Sequence, residues 1–190
     1  MAAKSTLRNM VLCLFGVCLI CSAILGVAYV VTLEPIAQAN EKALKESIGQ
    51  VLPEGGEISD ALTSGEFEYY ECRVDGEIAA YAVKSTTIGF GGPLTLMVGV
   101  LADGTVFNTS VLSHSETPGL GAKCATDEHF ISQWKGFNGR LKVSKDGGDV
   151  DAITASTITS RAYTLAVANA VEFVRSIIVE PENMEDVENE

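Results

Sequence analysis

The hydrophobic and polar positions divide the chain into one unbroken apolar segment and a longer, patterned remainder. The apolar segment, VLCLFGVCLICSAILGVAYVV, covers residues 11–31 and contains no charged residue. As a helix it would extend roughly 32 Å, enough to cross a hydrocarbon core of about 30 Å. Because a signal-peptide core is only about 7–15 residues long, we predict a retained transmembrane helix at residues 11–33, after an N-terminal segment of residues 1–10. A signal peptide cleaved near the AQA at residues 37–39 is the alternative.

The remainder shows first a helical and then a strand pattern. Residues 34–52 place apolar side chains at helical spacing, and PEGG at residues 53–56 ends that helix. Two Asp-Gly pairs, Asp75-Gly76 and Asp103-Gly104, stand between apolar or β-branched runs. Such pairs indicate two-residue hairpin turns in which both residues have φ > 0. We therefore expect an antiparallel sheet of at least four strands.

Helices and loops follow the predicted sheet. A turn-rich loop covers residues 113–123, a short helix is expected at residues 127–137, and a glycine-containing loop precedes a longer helix at residues 164–179. The apolar stripe of that last helix comprises Leu165, Ala168, Val171, Val174 and Ile178. We expect Pro181 to end the helix and the acidic tail, residues 181–190, to be disordered. The pattern predicts an α+β domain at residues 34–180, an antiparallel sheet of hairpins with flanking helices, preceded by one transmembrane helix.

Charge sets the expected orientation and excludes one class of partner. Lys4 and Arg8 precede the apolar segment, so we expect the N-terminus in the cytoplasm and the domain on the extracytoplasmic side. Beyond those two bases the chain has 25 acidic and 11 basic residues. A nucleic-acid backbone would be repelled by this surface, so we expect no nucleic-acid partner.

Cysteine and histidine give no metal or catalytic signature. Cys72 and Cys124 could pair in an oxidising compartment, but nothing in the sequence requires a disulfide. The two histidines, His114 and His129, have no third ligand at suitable spacing, so no metal site is expected. We expect Trp134 to be a core residue.

Five hydroxyl side chains stand where the last helix should begin: Thr154, Ser156, Thr157, Thr159 and Ser160. Serine and threonine are common helix N-caps, and capping explains one of them. Unpaired amides at a helix N-terminus also attract phosphate, so a phosphate site is the second interpretation.

The loop SETPGLG, residues 115–121, is unusually specified for a surface turn. Pro118 fixes φ, while Gly119 and Gly121 allow backbone angles that other residues avoid. It is either a surface turn or a loop that faces a ligand. The glycine-rich GFGGP, residues 89–93, matches no phosphate-loop or dinucleotide motif. It is expected to be a turn between strands, and the alternative is a loop that lies against a ligand.

Taken together, SETPGLGAK and the later DAITASTITS resemble the FMN-binding domain of the G subunit of Rnf complexes and of its relative, the C subunit of the sodium-pumping quinone reductase. The resemblance implies FMN bound covalently through its phosphate to a threonine, attached by a flavin transferase that uses FAD and a divalent metal. On the family pattern, Asp-x-x-Ser/Thr-Gly-Ala-Thr/Ser, Thr157 is the acceptor, Asp151 the acidic residue and Thr154 the first hydroxyl. The other residues expected to contact the cofactor are Glu116, Thr117, Pro118, Gly119, Leu120, Gly121, Ser156 and Thr159.

This chain departs from the family pattern at one place. Ala155-Ser156 stands where the family has Gly-Ala, so backbone freedom is reduced and Ser156 becomes a second candidate acceptor.

The resemblance also implies a role and partners. We expect an electron-transfer subunit of a membrane-bound, ion-translocating ferredoxin:NAD⁺ oxidoreductase (Rnf) complex, a redox subunit without substrate turnover of its own. Its partners would be the membrane, the other subunits of the complex and the flavin transferase. The alternatives are a similar subunit of a sodium-pumping NADH:quinone reductase and a flavin-free, membrane-anchored binding module.

Overall fold

The computed structural model describes residues 7–182, with side chains described for residues 7–178. Residues 1–6 and most of the predicted acidic tail lie outside this range. The helices are α1 (Leu7–Val51), α2 (Glu128–Ser132) and α3 (Thr157–Glu182). The strands are β1 (Glu57–Ile58), β2 (Leu62–Ser64), β3 (Phe67–Val74), β4 (Glu77–Ile88), β5 (Pro93–Leu101) and β6 (Val106–His114). Short 3₁₀ helices cover Gly121–Ala125 and Ser144–Asp146.

The apolar N-terminal segment is part of a single helix that continues through the predicted domain boundaries. Within the described residues, α1 is the one helix that is long and apolar enough to cross a membrane, and its apolar window is not buried against the protein. The chain forms two compact units, residues 1–43 and 44–190. The last two turns of α1 therefore belong to the second unit.

The α+β fold class is confirmed. All strand pairs are antiparallel, in the order β1-β3-β4-β5-β6, with β2 also paired to β3. At the first predicted hairpin, Asp75 and Gly76 have φ of 55° and 89°, as a two-residue turn requires.

The second hairpin forms, but its predicted turn type is wrong. Of the pair Asp103-Gly104, only Gly104 has a positive φ, 85°. The loop is longer than two residues, because the Leu101 amide donates to the Thr105 carbonyl at 2.9 Å. The Asp103 carboxylate accepts from the Thr105 amide at 2.8 Å, which stabilises the wider turn.

A helix covers each face of the sheet. The α3 face holds the larger core, where Trp134 is fully buried, as predicted. On the opposite face, Ile48 and Val51 from the end of α1 pack against sheet residues that include Met97. A Cβ at Gly99 would overlap the Val51 carbonyl, so glycine permits this close contact.

The last helix differs from the prediction at both ends. It begins at Thr157, about two turns before Thr164, and the Ser156 carbonyl accepts from the Ser160 amide at 3.0 Å at this start. It also continues to Glu182, through the proline that was expected to end it. Leu165, placed in the apolar stripe, is 54% exposed. The buried face keeps Val171 and Val174 from that stripe and adds residues on both sides of it: Ala162, Tyr163, Ala166, Val167, Ala170 and Phe173.

Two further expectations concern helix α2 and the cysteines Cys72 and Cys124. Helix α2 ends at Ser132 and is shorter than predicted, with Asp127 as its N-cap. Cys72 and Cys124 are free thiols, and each is buried in a different core cluster, so they do not form a disulfide in this structure.

Candidate functional site

Three loops that are distant in sequence meet at one cavity. They are the β4–β5 loop, the segment after β6 and the turn that leads into α3. The cavity volume is about 350 Å³, within the range of small-ligand sites. Its lining residues are Phe90, Glu116, Thr117, Leu120, Gly121, Ala155, Ser156, Thr157, Ile158 and Thr159.

The cavity brings together most, but not all, of the predicted site residues. Pro118, Gly119, Asp151 and Thr154 do not line it. Sequence reasoning missed Phe90, Ala155 and Ile158 as lining residues. The glycines around the aromatic residue in GFGGP were the signal that could have indicated Phe90.

Glu116 joins two of these loops to the start of α3. Its side chain is buried, with 6% of the residue exposed. One carboxylate oxygen accepts from the Phe90 amide and the other from the Thr159 hydroxyl, each at 2.9 Å. The loop geometry therefore depends on a carboxylate in the cavity wall.

The clustered hydroxyls differ in what they contact. Ser160 Oγ accepts from the Ile153 amide and donates to the Ser156 carbonyl, both at 2.9 Å. Thr159 donates to Glu116. Both side chains are therefore structural, since each is buried and holds the turn or the cavity wall in place.

Thr157 is available for chemistry. It is half-buried, lines the cavity and opens the first turn of α3. The helix start leaves backbone amides without intrahelical acceptors at this point. Lys145 Nζ lies 3.4 Å from Thr157 Oγ1 and can donate to it. The arrangement places a cation beside a hydroxyl at the positive end of a helix, which favours a bound phosphate.

An ion pair ties the Lys145 segment to α3. Arg161 donates to both carboxylate oxygens of Asp146 at 2.7 Å. This hydrogen-bonded pairing lowers the pKa of Asp146 below its ordinary value. Because Asp146 follows Lys145 directly, the pair keeps the lysine near Thr157.

Asp151 lies outside the cavity. Its side chain is exposed, and its backbone amide and carbonyl bond the side chain of Gln133 at 2.8 and 3.2 Å. Its contacts therefore fix the loop that precedes the helix. Among the residues that the structure describes, no group of three or more His, Cys, Asp or Glu side chains could hold a metal ion.

Ala155 occupies the strained position in the turn before α3. Its φ is 61°, in the left-handed region, and its side chain is exposed. This is the place where the related pattern has glycine, which adopts such angles without steric cost.

Comparisons with known proteins agree with this geometry. The family model described as FMN-binding domain matches residues 89–172, a range that contains all three cavity loops. The chain therefore contains an FMN-binding domain.

Relatives extend the similarity to about four fifths of the chain. The G subunit of the ion-translocating oxidoreductase complex of Vibrio cholerae is 35% identical over 176 residues, covering 80% of this chain and 83% of the relative. The G subunit of the proton-translocating ferredoxin:NAD(+) oxidoreductase complex of Clostridium ljungdahlii is 34% identical over 161 residues, covering 83% of this chain and 85% of the relative. The chain belongs to the family of G subunits of ion-translocating oxidoreductase complexes, which confirms the predicted relationship.

A solved structure of NqrC from Shewanella oneidensis is also similar, at 26% identity and a TM-score of 0.43. The match covers 53% of this chain and 52% of that one.

Proposed function

We propose that this chain carries FMN covalently on Thr157 and transfers electrons within a membrane-bound, ion-translocating ferredoxin:NAD⁺ oxidoreductase complex. The position of the Thr157 hydroxyl carries the proposal. It lies on the cavity lining, at the first residue of α3 and 3.4 Å from Lys145.

The residues present fit the cofactor. Phe90, Leu120 and Ile158 give the cavity an apolar wall suited to a flat aromatic ring. The amides at the start of α3 and the Lys145 ammonium suit its phosphate. When bound, FMN supplies the redox chemistry, while the protein supplies position and electrostatics.

Attachment depends on a threonine oxygen that a separate enzyme activates. The Thr157 oxygen forms the new bond to phosphorus, AMP leaves from FAD, and the hydroxyl proton passes to a base of the transferase. Ser156, the competing acceptor, is only 7% exposed. Its carbonyl already accepts from the Ser160 amide at 3.0 Å, which fixes it at the N-cap. The greater exposure of Thr157 therefore favours it over Ser156 as the acceptor.

The membrane helix and the charge pattern support an orientation. Lys4 and Arg8 precede the apolar stretch of α1, so the flavin domain is proposed to lie outside the cytoplasm. Protease added to intact spheroplasts should then cleave the domain. Full protection in intact spheroplasts, with cleavage after lysis, would contradict this orientation.

The intact mass of the full chain tests the attachment. Protein from cells that contain the flavin transferase should gain the mass of one FMN less one water. Thr157→Ala should lose that mass and in-gel flavin fluorescence, while Thr157→Ser, which keeps a hydroxyl, should retain part of both. Ser156→Ala should be modified like the wild type.

Each alternative has a distinct outcome. An unmodified wild-type mass would exclude the covalent flavin. Modification that survives in Thr157→Ala and disappears in Ser156→Ala would move the acceptor to Ser156. Co-purification with the other subunits of the oxidoreductase tests the assignment to the complex.

A further inference from the structure

The attachment of FMN to Thr157 gives no role to Glu116, whose carboxylate lies in the cavity wall. Among the residues lining the cavity, Glu116 alone carries a charge, and it is 6% exposed. We propose that Glu116 is an ionised positioning residue that holds the cavity together and, through its charge, lowers the reduction potential of the bound flavin. This inference rests on the proposed function.

The hydrogen bonds of Glu116 suit a carboxylate that accepts at both of its oxygens. Phe90 supplies a backbone N–H, which can only donate, to one oxygen, and Thr159 donates its hydroxyl to the other. An ionised carboxylate offers only acceptors, so it can take both of these hydrogen bonds at once. Hydrogen bonds to a charged group are also the stronger kind, which suits a brace between loops.

Two glycines make room for this side chain. A Cβ at Gly89 would overlap one Glu116 carboxylate oxygen, and a Cβ at Gly121 would overlap the other. Gly121 has an ordinary φ, so its turn does not require glycine for conformational reasons. The two glycines therefore leave the space that the Glu116 carboxylate occupies.

The charge acts on groups nearby. Burial, and after it the negative charge of Glu116, raises the pKa of Cys124 to about 11. The same charge opposes added negative charge in the cavity, since Coulomb energies are larger away from bulk water. Reduction adds electrons to the flavin, so an ionised Glu116 makes reduction harder and lowers the potential.

The test is a redox titration of the flavin in the full chain, purified in detergent. Glu116→Gln keeps the size and one acceptor oxygen but removes the charge. At a fixed solution potential its ratio of reduced to oxidised flavin should rise at least about tenfold, a midpoint shift of about 30 mV for a two-electron couple. Glu172→Gln, which removes an exposed charge from α3, is the matched control and should change the ratio less than threefold.

A second variant separates charge from geometry. Thr159→Val removes one hydrogen bond to Glu116 but leaves the charge, so its melting temperature should fall, while its ratio of reduced to oxidised flavin should change less than that of Glu116→Gln. A wild-type potential in flavin-loaded Glu116→Gln overturns the proposal, and so does an equal shift in Thr159→Val.

Failure of the proposed function would look different. If wild-type protein contains no flavin, the proposed function is wrong before any variant is compared. If Glu116→Gln does not fold or load flavin, Glu116→Asp, which keeps the charge on a shorter side chain, replaces it. Its ratio of reduced to oxidised flavin at the fixed potential should stay within threefold of wild type, and a tenfold rise in that ratio overturns the inference.

Discussion

Ala155 offers a direct test of the turn that presents Thr157. Its φ of 61° is one of two positive values among the described non-glycine residues, and its side chain is exposed. Replacing it with glycine removes a methyl group that contributes little burial. The variant therefore changes mainly the conformational cost of the turn.

Two opposing terms set the magnitude. The left-handed conformation costs an L-residue roughly 1–2 kcal/mol, and Ala155→Gly relieves this cost. Glycine loses more backbone entropy on folding, which costs about 0.5–1 kcal/mol relative to alanine. The net result is a free energy of unfolding higher by about 0.5–1 kcal/mol, equivalent to a melting temperature higher by roughly 1–4 °C for a domain of this size.

Ala152→Gly is the matched control. Ala152 lies in the same loop but has no positive φ, so the same substitution should lower the free energy of unfolding by about 0.5–1 kcal/mol. Urea unfolding of the flavin-free full chain in detergent measures both. The reasoning is refuted if the two variants are destabilised equally.

Three further results are expected. Lys145→Gln should slow transferase-dependent flavin attachment to Thr157 about fivefold, the equivalent of about 1 kcal/mol for an exposed charge contact. Lys142→Gln should not slow it. Equal attachment rates in the two variants would exclude a role for the 3.4 Å contact between Lys145 and Thr157. Because burial raises the pKa of Cys124 from 9.0 to about 11, the folded state holds that proton more tightly than the unfolded state. The thiol's contribution to stability is complete below pH 9 and is lost as the pH rises towards 11, and urea unfolding at pH 8 and pH 10.5 should show this fall, which Cys124→Ala should reduce. Deleting residues up to 43 should leave a cooperatively melting domain, whereas deletion that also removes residues 44–51 uncovers one sheet face and should abolish the thermal transition, by circular dichroism.

Local signals predicted the parts of the fold that depend on neighbouring residues. Asp75-Gly76 defines its hairpin because both residues accept positive φ in a two-residue loop. The same residue pair at Asp103-Gly104 gives a hairpin with a longer loop, because the Asp103 carboxylate bonds the Thr105 amide. The dipeptide therefore predicts that the chain reverses but does not determine the loop length.

Tertiary contacts decided what the sequence could not. Leu165 matches the helical period of the apolar stripe, yet it is 54% exposed, because α3 buries the neighbouring face that carries Tyr163 and Ala166. Phe90 and Ile158 meet at the cavity, where Glu116 bonds both the Phe90 amide and the Thr159 hydroxyl of α3. No residue spacing within the Phe90 loop or within α3 predicts that these two segments lie together.

The hydroxyl cluster shows why choosing the proposed acceptor required both a motif and a structure. By residue type, Thr157, Thr159 and Ser160 are equivalent, since each could cap a helix or bind a phosphate. In the fold, Thr159 and Ser160 are buried and bonded to protein groups, so modifying either would break contacts that hold the cavity and the turn. Thr157 contacts only the end of the flexible Lys145 side chain through its hydroxyl, and a phosphate there would keep a cation beside it. Of these three residues, Thr157 is therefore the one whose modification would break the fewest contacts. It also has the most favourable electrostatic environment for a phosphate.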